Sequence, residues 1–157
     1  MSKICLFLDG KQTPINLSAE TYEPFIILRN GQEFVDYFAE NPLPDFISVE
    51  HDLTDKHFED FAKYQLQGDA IISYNSYKET KDLTGYQLIK WLIYICLKKD
   101  LKLPTINVHS RNPLGSKNIE IEVNNCYQYQ ETRMLCGTLP LKTVQDTIIL
   151  DKKEITT

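Results

Sequence analysis

The sequence predicts an α/β sandwich built around a mostly parallel sheet. Short apolar runs recur along the chain, and each of them ends in polar or turn-forming residues. Segments with the periodicity of amphipathic helices lie between several of these runs, and the clearest covers residues 84–99. Alternation of short apolar strands with amphipathic helices is typical of parallel strands that are joined by helical connections.

Chain length and composition indicate one globular domain that spans residues 1–157. The length of 157 residues favours a single domain. A hydrophobic share of 42% and a charged share of 25% are typical of a water-soluble fold. Because the chain has no run of about 18 apolar residues, we expect no membrane span. The first residues, MSKICLFLDG, lack the regions of a secretory signal, so we expect a cytoplasmic protein.

Charge and cysteine content narrow the classes of function. The net charge of −5 and the absence of a long basic stripe argue against binding of duplex nucleic acid. A small phosphorylated ligand remains possible, because a few N–H groups at a helix start can bind one phosphate. The cysteines show no CxxC spacing, and we expect reduced, buried thiols. They are Cys5, Cys96, Cys126 and Cys136.

The first half of the chain contains three predicted strands and one helix. Residues 4–8, 25–29 and 45–50 form short apolar runs that indicate strands. Asn30 and Glu33 have the spacing of a capping-box variant, which predicts a helix start. The apolar face of that helix comprises Phe34, Val35 and Phe38.

An insertion at residues 54–83 opens the second half, with helix predicted near residues 55–66. A connection of this length is usually functional, often as a lid. Thr84 then begins the strongest predicted helix, whose apolar residues follow the helical period. They are Leu88, Trp91, Leu92, Ile95 and Cys96.

The last part of the chain contains a fourth strand and a further helix. Residues 105–109 read as the strand, and residues 116–130 as the helix, with Ile119, Val123 and Cys126 on one side. Residues 139–157 are expected to form a short terminal strand at 147–150 and a charged tail.

The polar clusters of the chain follow three of the predicted strands. Asp9 follows the first strand, Glu50, His51 and Asp52 follow the third, and the segment 109–112 follows the fourth. That segment reads His109, Ser110, Arg111 and Asn112. In parallel α/β folds, ligands bind beyond the carboxyl ends of the strands. We therefore expect these three strand ends to converge on one crevice.

Two histidines in this crevice suit acid–base chemistry on a phosphoester. Cleavage needs a base for the incoming water, an acid for the leaving oxygen and donors for the phosphate charge. His51 and His109 can serve as acid and base in either assignment, because histidine titrates near neutral pH. Ser110, Asn112 and the amides after Gly115 can supply the donors.

Weaker signals surround this cluster. Asp9, Glu50 and Asp52 offer the hard oxygen ligands that Mg²⁺ prefers, so a magnesium site is an open alternative. Tyr86 and Lys90 lie one helical turn apart near a helix start, from which either can reach the crevice. A solvated surface position explains Lys90 equally well.

Four stretches of the sequence resemble the cyclic-phosphate processing receiver-like domains, a divergent branch of the receiver fold. The most specific combination is HSRNPLG after a strand together with a Ser-x-acid-His-Asp-Leu segment. The stretches are LFLDGKQTP (6–14), ISVEHDL (47–53), TGYQLIKWL (84–92) and HSRNPLG (109–115), the last followed by Asn118. Together they cover residues 4 to about 127.

The resemblance implies a fold, an activity and a set of site residues. The fold would be a flavodoxin-like, three-layer sandwich with sheet order 2-1-3-4-5. The activity would be hydrolysis or binding of cyclic phosphates on nucleotides or nucleotide-derived molecules, in RNA repair, nucleotide signalling or phage–host conflict. The site carried over by position comprises Asp9, Glu50, His51, Asp52, His109, Ser110 and Asn112, with Tyr86 and Lys90 nearby.

The chain departs from the family pattern at three positions. Gly10 stands where a second acid is usual, Gln12 where an Arg is usual, and Glu50 where an Asp is usual. These departures weaken a receiver-like Mg²⁺ site and a phosphate clamp, but they leave a metal-independent, histidine-based phosphodiesterase open. The alternatives are a module that binds such a ligand without turnover and a protein-interaction domain. The ligand's identity and the oligomeric state stay open.

Overall fold

The computed structural model describes residues 3–14, 24–67 and 82–136 and has the expected α/β architecture. The strands are β1 (Cys5–Leu8), β2 (Ile26–Leu28), β3 (Phe46–Val49) and β4 (Thr105–Val108). The helices are α1 (Gly31–Glu40), α2 (Asp55–Gln67), α3 (Gly85–Lys98) and α4 (Pro113–Leu135). Each strand therefore forms where the sequence predicted it, shortened by one or two residues.

The four strands form one parallel sheet in the order β2-β1-β3-β4. This order matches the first four positions of the expected 2-1-3-4-5 arrangement. The expected terminal strand at residues 147–150 lies outside the described residues. The strands β1 and β3 are buried along nearly their whole length, which explains their almost continuous apolar sequences.

The core packs the central strands against the apolar faces of three helices. Its fully buried side chains include Leu6, Leu8, Ile47, Phe34, Phe38, Leu88, Leu92 and Ile119. Trp91 is half-buried at the edge of this core, and its ring meets the rings of Phe34 and Phe38 edge-on. Trp91 thus packs against the core, as its place among the apolar residues of the predicted helix indicated.

The predicted helix starts are confirmed by side-chain caps. Asn30 Oδ1 accepts the N–H of Glu33 at 2.9 Å, while the Glu33 carboxylate accepts the N–H of Arg29 at 2.7 Å. In the usual capping box the acidic side chain accepts the N–H of the cap residue itself, whereas here Glu33 accepts the N–H of Arg29, one residue before the cap. Thr84 and Gln87 form a complete capping box at the start of α3.

The last described helix is longer than the sequence predicted. Instead of covering residues 116–130, α4 begins at Pro113 and ends at Leu135. Proline suits the first helical position because its φ angle is preset and its missing N–H would have no helical partner there. At the other end, an ion pair of 2.9 Å between Arg133 and Asp100 supports the added turn.

The cysteines are free thiols, as expected, but not all of them are buried. Cys5, Cys96 and Cys126 lie in the interior, and Cys136 is exposed. Burial raises the pKa of Cys96 to about 12, which makes this thiol unreactive at neutral pH. Among the described helices, none combines the length and apolarity that a membrane crossing requires.

The helix α2 fills the first part of the insertion and is anchored by a buried histidine. His57 is fully buried. Its Nδ1 accepts the N–H of Leu53 at 3.1 Å, and its Nε2 donates to the carbonyl of Asp82 at 3.1 Å. Burial lowers the pKa of His57, so the neutral ring is favoured. The sequence alone indicated no partner for this residue, because both partners are main-chain groups.

We expect His57 to make folding stability fall as the pH is lowered. The unfolded chain carries a histidine with an ordinary pKa of about 6.5, whereas the folded pKa is lower. Between these two values the unfolded state binds the proton first, so stability is lost as the pH falls through that window, by at most about 1.4 kcal/mol per pH unit. His57→Gln retains a donor towards Asp82 and removes the titrating ring. Urea unfolding at several pH values from 7.5 to 5 measures the free energy of unfolding. This free energy should fall less steeply with falling pH in the variant than in wild type, and the same pH dependence in both proteins would contradict this role.

Candidate active site at the carboxyl ends of the strands

The register of the parallel strands brings the polar strand ends to one level. Leu8 lies opposite Val49, and Val49 lies opposite Val108. The residues that follow these three are Asp9, Glu50 and His109. Their main-chain N–H groups continue the sheet, donating to the carbonyls of Leu28, Leu8 and Val49 at 3.0, 2.8 and 3.0 Å. Three side chains with proton-binding groups therefore leave the sheet side by side.

Asp9 is held by the turn that follows β1. Its side chain is only 1% exposed. Oδ1 accepts the N–H groups of Lys11 and Gln12, each at 2.7 Å, and Oδ2 lies 3.2 Å from His109 Nε2. Two amide donors on one carboxylate oxygen direct the other oxygen towards the histidine.

His109 is oriented by three different contacts. Its ring stacks on Phe7, with centroids 4.5 Å apart and planes 13° from parallel. Nδ1 lies 2.8 Å from Ser48 Oγ, and Nε2 faces Asp9. Its side chain retains 19% exposure, which leaves an edge of the ring open to solvent or to a ligand. The sequence identified His109 but not Phe7 or Ser48, which are register partners on adjacent strands.

His51 forms a second histidine–aspartate pair, this one nearly buried. Its Nδ1 lies 2.9 Å from Asp52 Oδ1. Asn112 Nδ2 donates to Asp52 Oδ2 at 3.1 Å, and Asn112 Oδ1 accepts the N–H of Gly115 at 2.9 Å. Asn112 thus caps α4 and positions the carboxylate that holds His51.

Glu50 joins the segments that follow β3 and β4. It is 2% exposed. Oε1 accepts the N–H groups of His51 and Asp52 at 2.9 and 3.3 Å and a short hydrogen bond from the Ser110 hydroxyl. Ser110 Oγ also accepts the N–H of Asn112 at 3.1 Å. Burial raises the pKa of Glu50, and these hydrogen bonds oppose that rise by stabilising its ionised form.

Two glycines allow the loops to approach closely. A Cβ at position 115 would lie 2.4 Å from Cγ of His51, so the first turn of α4 rests directly on the His51 ring. A Cβ at position 10 would lie 1.9 Å from the carbonyl oxygen of Leu53. The acidic residue that the family pattern has at this position therefore does not fit here unless the backbone of the chain shifts.

One positive side chain, Arg29, lies beside the segment that follows β1. Arg29, at the end of β2, donates from Nη1 to the carbonyls of Asp9 and Gln12. Lys11 pairs with Asp55 at 2.6 Å. Sequence reasoning noted the missing arginine at position 12 but not Arg29, whose guanidinium reaches the main chain of that position from a neighbouring strand.

The sequence suggested Asp9, Glu50 and Asp52 as ligands of a cation, whereas the structure groups His109, and not Asp52, with Asp9 and Glu50. Within the described ranges, one donor atom from each of Asp9, Glu50 and His109 lies within 4.8 Å of the other two. Asp52 instead directs its oxygens to His51 and Asn112. Two carboxylates and one imidazole suit a divalent ion such as Mg²⁺ or Mn²⁺, so these three residues could hold one.

The remaining predicted site residues lie on the helices. The Tyr86 hydroxyl donates to Glu122 of α4 at 3.0 Å, and Lys90 is exposed with its ammonium 5.4 Å from the centroid of the Tyr86 ring. Asn118 is half-buried one turn beyond Gly115 on α4. The Tyr86–Glu122 bond joins α3 to α4.

This combination of a parallel sheet and polar strand ends defines a receiver-like α/β domain. The family model described as "Cyclic-phosphate processing Receiver domain" matches residues 4–125. The chain belongs to this family. Comparison with the curated proteins and with the solved structures found no match.

We expect Gly115→Ala to displace His51 and destabilise the fold. The added methyl would overlap the imidazole, and overpacking of this kind costs about 1–3 kcal/mol. The matched control is Gly31→Ala, in the first turn of α1. Its Cβ would meet only side chains, the nearest being Leu83 at 3.2 Å. Thermal unfolding and the His51 ring signals in NMR spectra provide the measurement. Equal effects of the two substitutions would contradict the close approach of α4 to His51.

Proposed function

We propose that this domain hydrolyses a cyclic phosphate on a nucleotide or a nucleotide-derived small molecule, with the two strand-end histidines as acid and base. The observation that carries the proposal is the pair of histidine–aspartate contacts at adjacent strand ends, at 2.9 Å for His51 and Asp52 and 3.2 Å for His109 and Asp9. A carboxylate beside an imidazole orients the ring and stabilises its protonated form.

The reaction needs two proton-transfer groups. Water attacks phosphorus, a new P–O bond forms, and one ester P–O bond of the ring breaks. The base removes a proton from the water, and the acid gives a proton to the ester oxygen that leaves. Two histidines, each held by its own carboxylate, match these two tasks.

The surroundings also provide groups for the phosphate charge. The amino-terminal end of α4 lies against His51 through Gly115, and a helix start favours an anion. Arg29 adds positive charge beside Asp9, because its guanidinium donates to the Asp9 carbonyl. The net charge of −5 suits a small ligand better than a long nucleic acid.

One observation favours the alternative of binding without turnover. Both ring nitrogens of His109 already have protein partners, Ser48 and Asp9. A ligand must compete with Asp9 before it can exchange a proton with Nε2. A domain that only senses or sequesters a cyclic phosphate needs no such exchange.

A turnover screen separates these functions. Wild type, His109→Ala and the control Glu131→Ala, an exposed position on α4, are incubated with 2′,3′-cyclic nucleotides, cyclic dinucleotides and cyclic ADP-ribose phosphates. Each reaction runs with Mg²⁺ and with EDTA, and products are identified by mass spectrometry. We expect cleavage by wild type and the control in both conditions. The cleavage rate of His109→Ala should be lower on the order of 10²–10⁴-fold, the usual contribution of a general acid or base.

Other outcomes of the screen decide between the alternatives. Binding of a panel member without cleavage would support the sequestering module. Cleavage only with Mg²⁺ would contradict the metal-independent mechanism and assign Asp9, Glu50 and His109 to the ion. A chain that neither binds nor cleaves any panel member would contradict both functions.

A further inference from the structure

Arg29 stands beside Asp9 at the carboxyl edge of the sheet. The strand β2 pairs with β1 so that Leu28 lies opposite Leu8, and Arg29 and Asp9 are the next residues of the two strands. The N–H of Asp9 donates to the carbonyl of Leu28 at 3.0 Å, which carries this alignment one residue further. Because β2 and β4 lie on opposite sides of β1 in the sheet, Arg29 reaches the crevice from the side opposite to His109.

One end of the Arg29 guanidinium group holds the turn that follows β1. Nη1 donates to the carbonyl of Asp9 at 3.0 Å and forms a short hydrogen bond to the carbonyl of Gln12. These two bonds use both hydrogens of Nη1. The main-chain N–H of Arg29 donates to the carboxylate of Glu33 at 2.7 Å. The main chain of Arg29 and one end of its side chain are therefore both fixed by the protein.

The other edge of the same guanidinium group has no partner in the described part of the chain. Nε and Nη2 carry three further N–H donors. No described carboxylate pairs with Arg29, whereas Arg133 pairs with Asp100 at 2.9 Å. Asp9 is already engaged, since Oδ1 accepts two main-chain N–H groups and Oδ2 faces His109. A half-buried guanidinium with a free planar edge suits two oxygens of a phosphate.

The free edge of Arg29 and the start of α4 lie on opposite sides of the crevice. The first turn of α4 rests on the ring of His51, after β3, through Gly115. Nη1 of Arg29 is held at the turn after β1, and β1 and β3 are neighbours in the sheet. Neighbouring strands are about 4.8 Å apart, so at least one strand spacing separates the two groups. A phosphate at the helix start therefore leaves the edge of Arg29 for a second one.

We propose that the ligand carries a second phosphate besides its cyclic one, and that Arg29 is the residue that selects for it. This inference rests on the proposed cyclic-phosphate ligand. The cyclic phosphate lies by the histidines and the start of α4, and Nε and Nη2 of Arg29 bind two oxygens of the second phosphate. A nucleoside 2′,3′-cyclic phosphate that also has a 5′-phosphate is the simplest ligand of this class. Because arginine stays charged in proteins, the selection needs no proton transfer.

Two ligands that differ only in one phosphate test this selection. They are adenosine 2′,3′-cyclic phosphate and its 5′-phosphorylated form, and titration calorimetry measures the affinity of each, with kcat/KM measured as well for a ligand that is cleaved. Wild type should prefer the 5′-phosphorylated ligand by roughly tenfold or more, the size expected for hydrogen bonds between charged groups. Arg29→Lys keeps the charge and a donor for the turn but lacks the planar edge, so it should lose most of this preference.

The ratio of the two affinities separates selection from mere support of the turn. A residue that only supports the turn would weaken both ligands equally and leave the ratio unchanged. The control Arg133→Lys makes the same substitution in the last turn of α4 and should keep the wild-type ratio. The assignment would be overturned if wild type binds neither ligand or both equally, or if Arg29→Lys keeps the wild-type ratio. A preference that Arg29→Lys loses, without cleavage of either ligand, would contradict the proposed hydrolysis and leave the role of Arg29 intact.

Discussion

The register of three parallel strands is the constraint on which the site depends. Leu8, Val49 and Val108 are aligned across β1, β3 and β4, so the next residue of each strand emerges at the same edge. A shift of one residue in any strand would turn the following side chain to the other face of the sheet. The apolar strand residues that build the core therefore also set the spacing of Asp9 and His109, which come from distant parts of the chain.

Because the carboxylates of Asp9 and Glu50 are buried, the loops around them must supply hydrogen-bond donors. An isolated carboxylate inside a protein is costly, so its oxygens need donors. Asp9 and Glu50 take theirs mostly from main-chain N–H groups of the segments that follow their own strands. These hydrogen bonds fold each segment back over its strand end. Gly10 and Gly115 then let the segments pack against the loop after β3 and the ring of His51. The same contacts satisfy the charges and shape the crevice.

Much of this arrangement could be predicted from local patterns, and the rest depends on contacts between strands. Polar residues directly after apolar runs identified both histidines, because parallel strands present their carboxyl ends together. Ser48 and Phe7 escaped notice because their importance comes from facing His109 across the sheet, which requires the register. The predicted start of α4 at residue 116 was three residues too late, because proline is favourable at a first helical position and α4 begins at Pro113. Arg29 acts through a neighbouring strand and likewise leaves no local signal.

The account's central claim is that the two histidine–aspartate pairs act together on one phosphate. The most direct test compares single-turnover rates of Asp9→Asn, Asp52→Asn and the double variant on the cyclic phosphate that wild type cleaves fastest, with thermal unfolding to verify folding. If both pairs serve one transition state, each single substitution should slow the reaction on the order of 10²-fold or more. The double variant should then be about as slow as the worse single one, because residues that act as a unit are not additive. The claim would be contradicted by a double variant whose rate falls by the product of the two single effects. A single variant as fast as wild type would contradict it too.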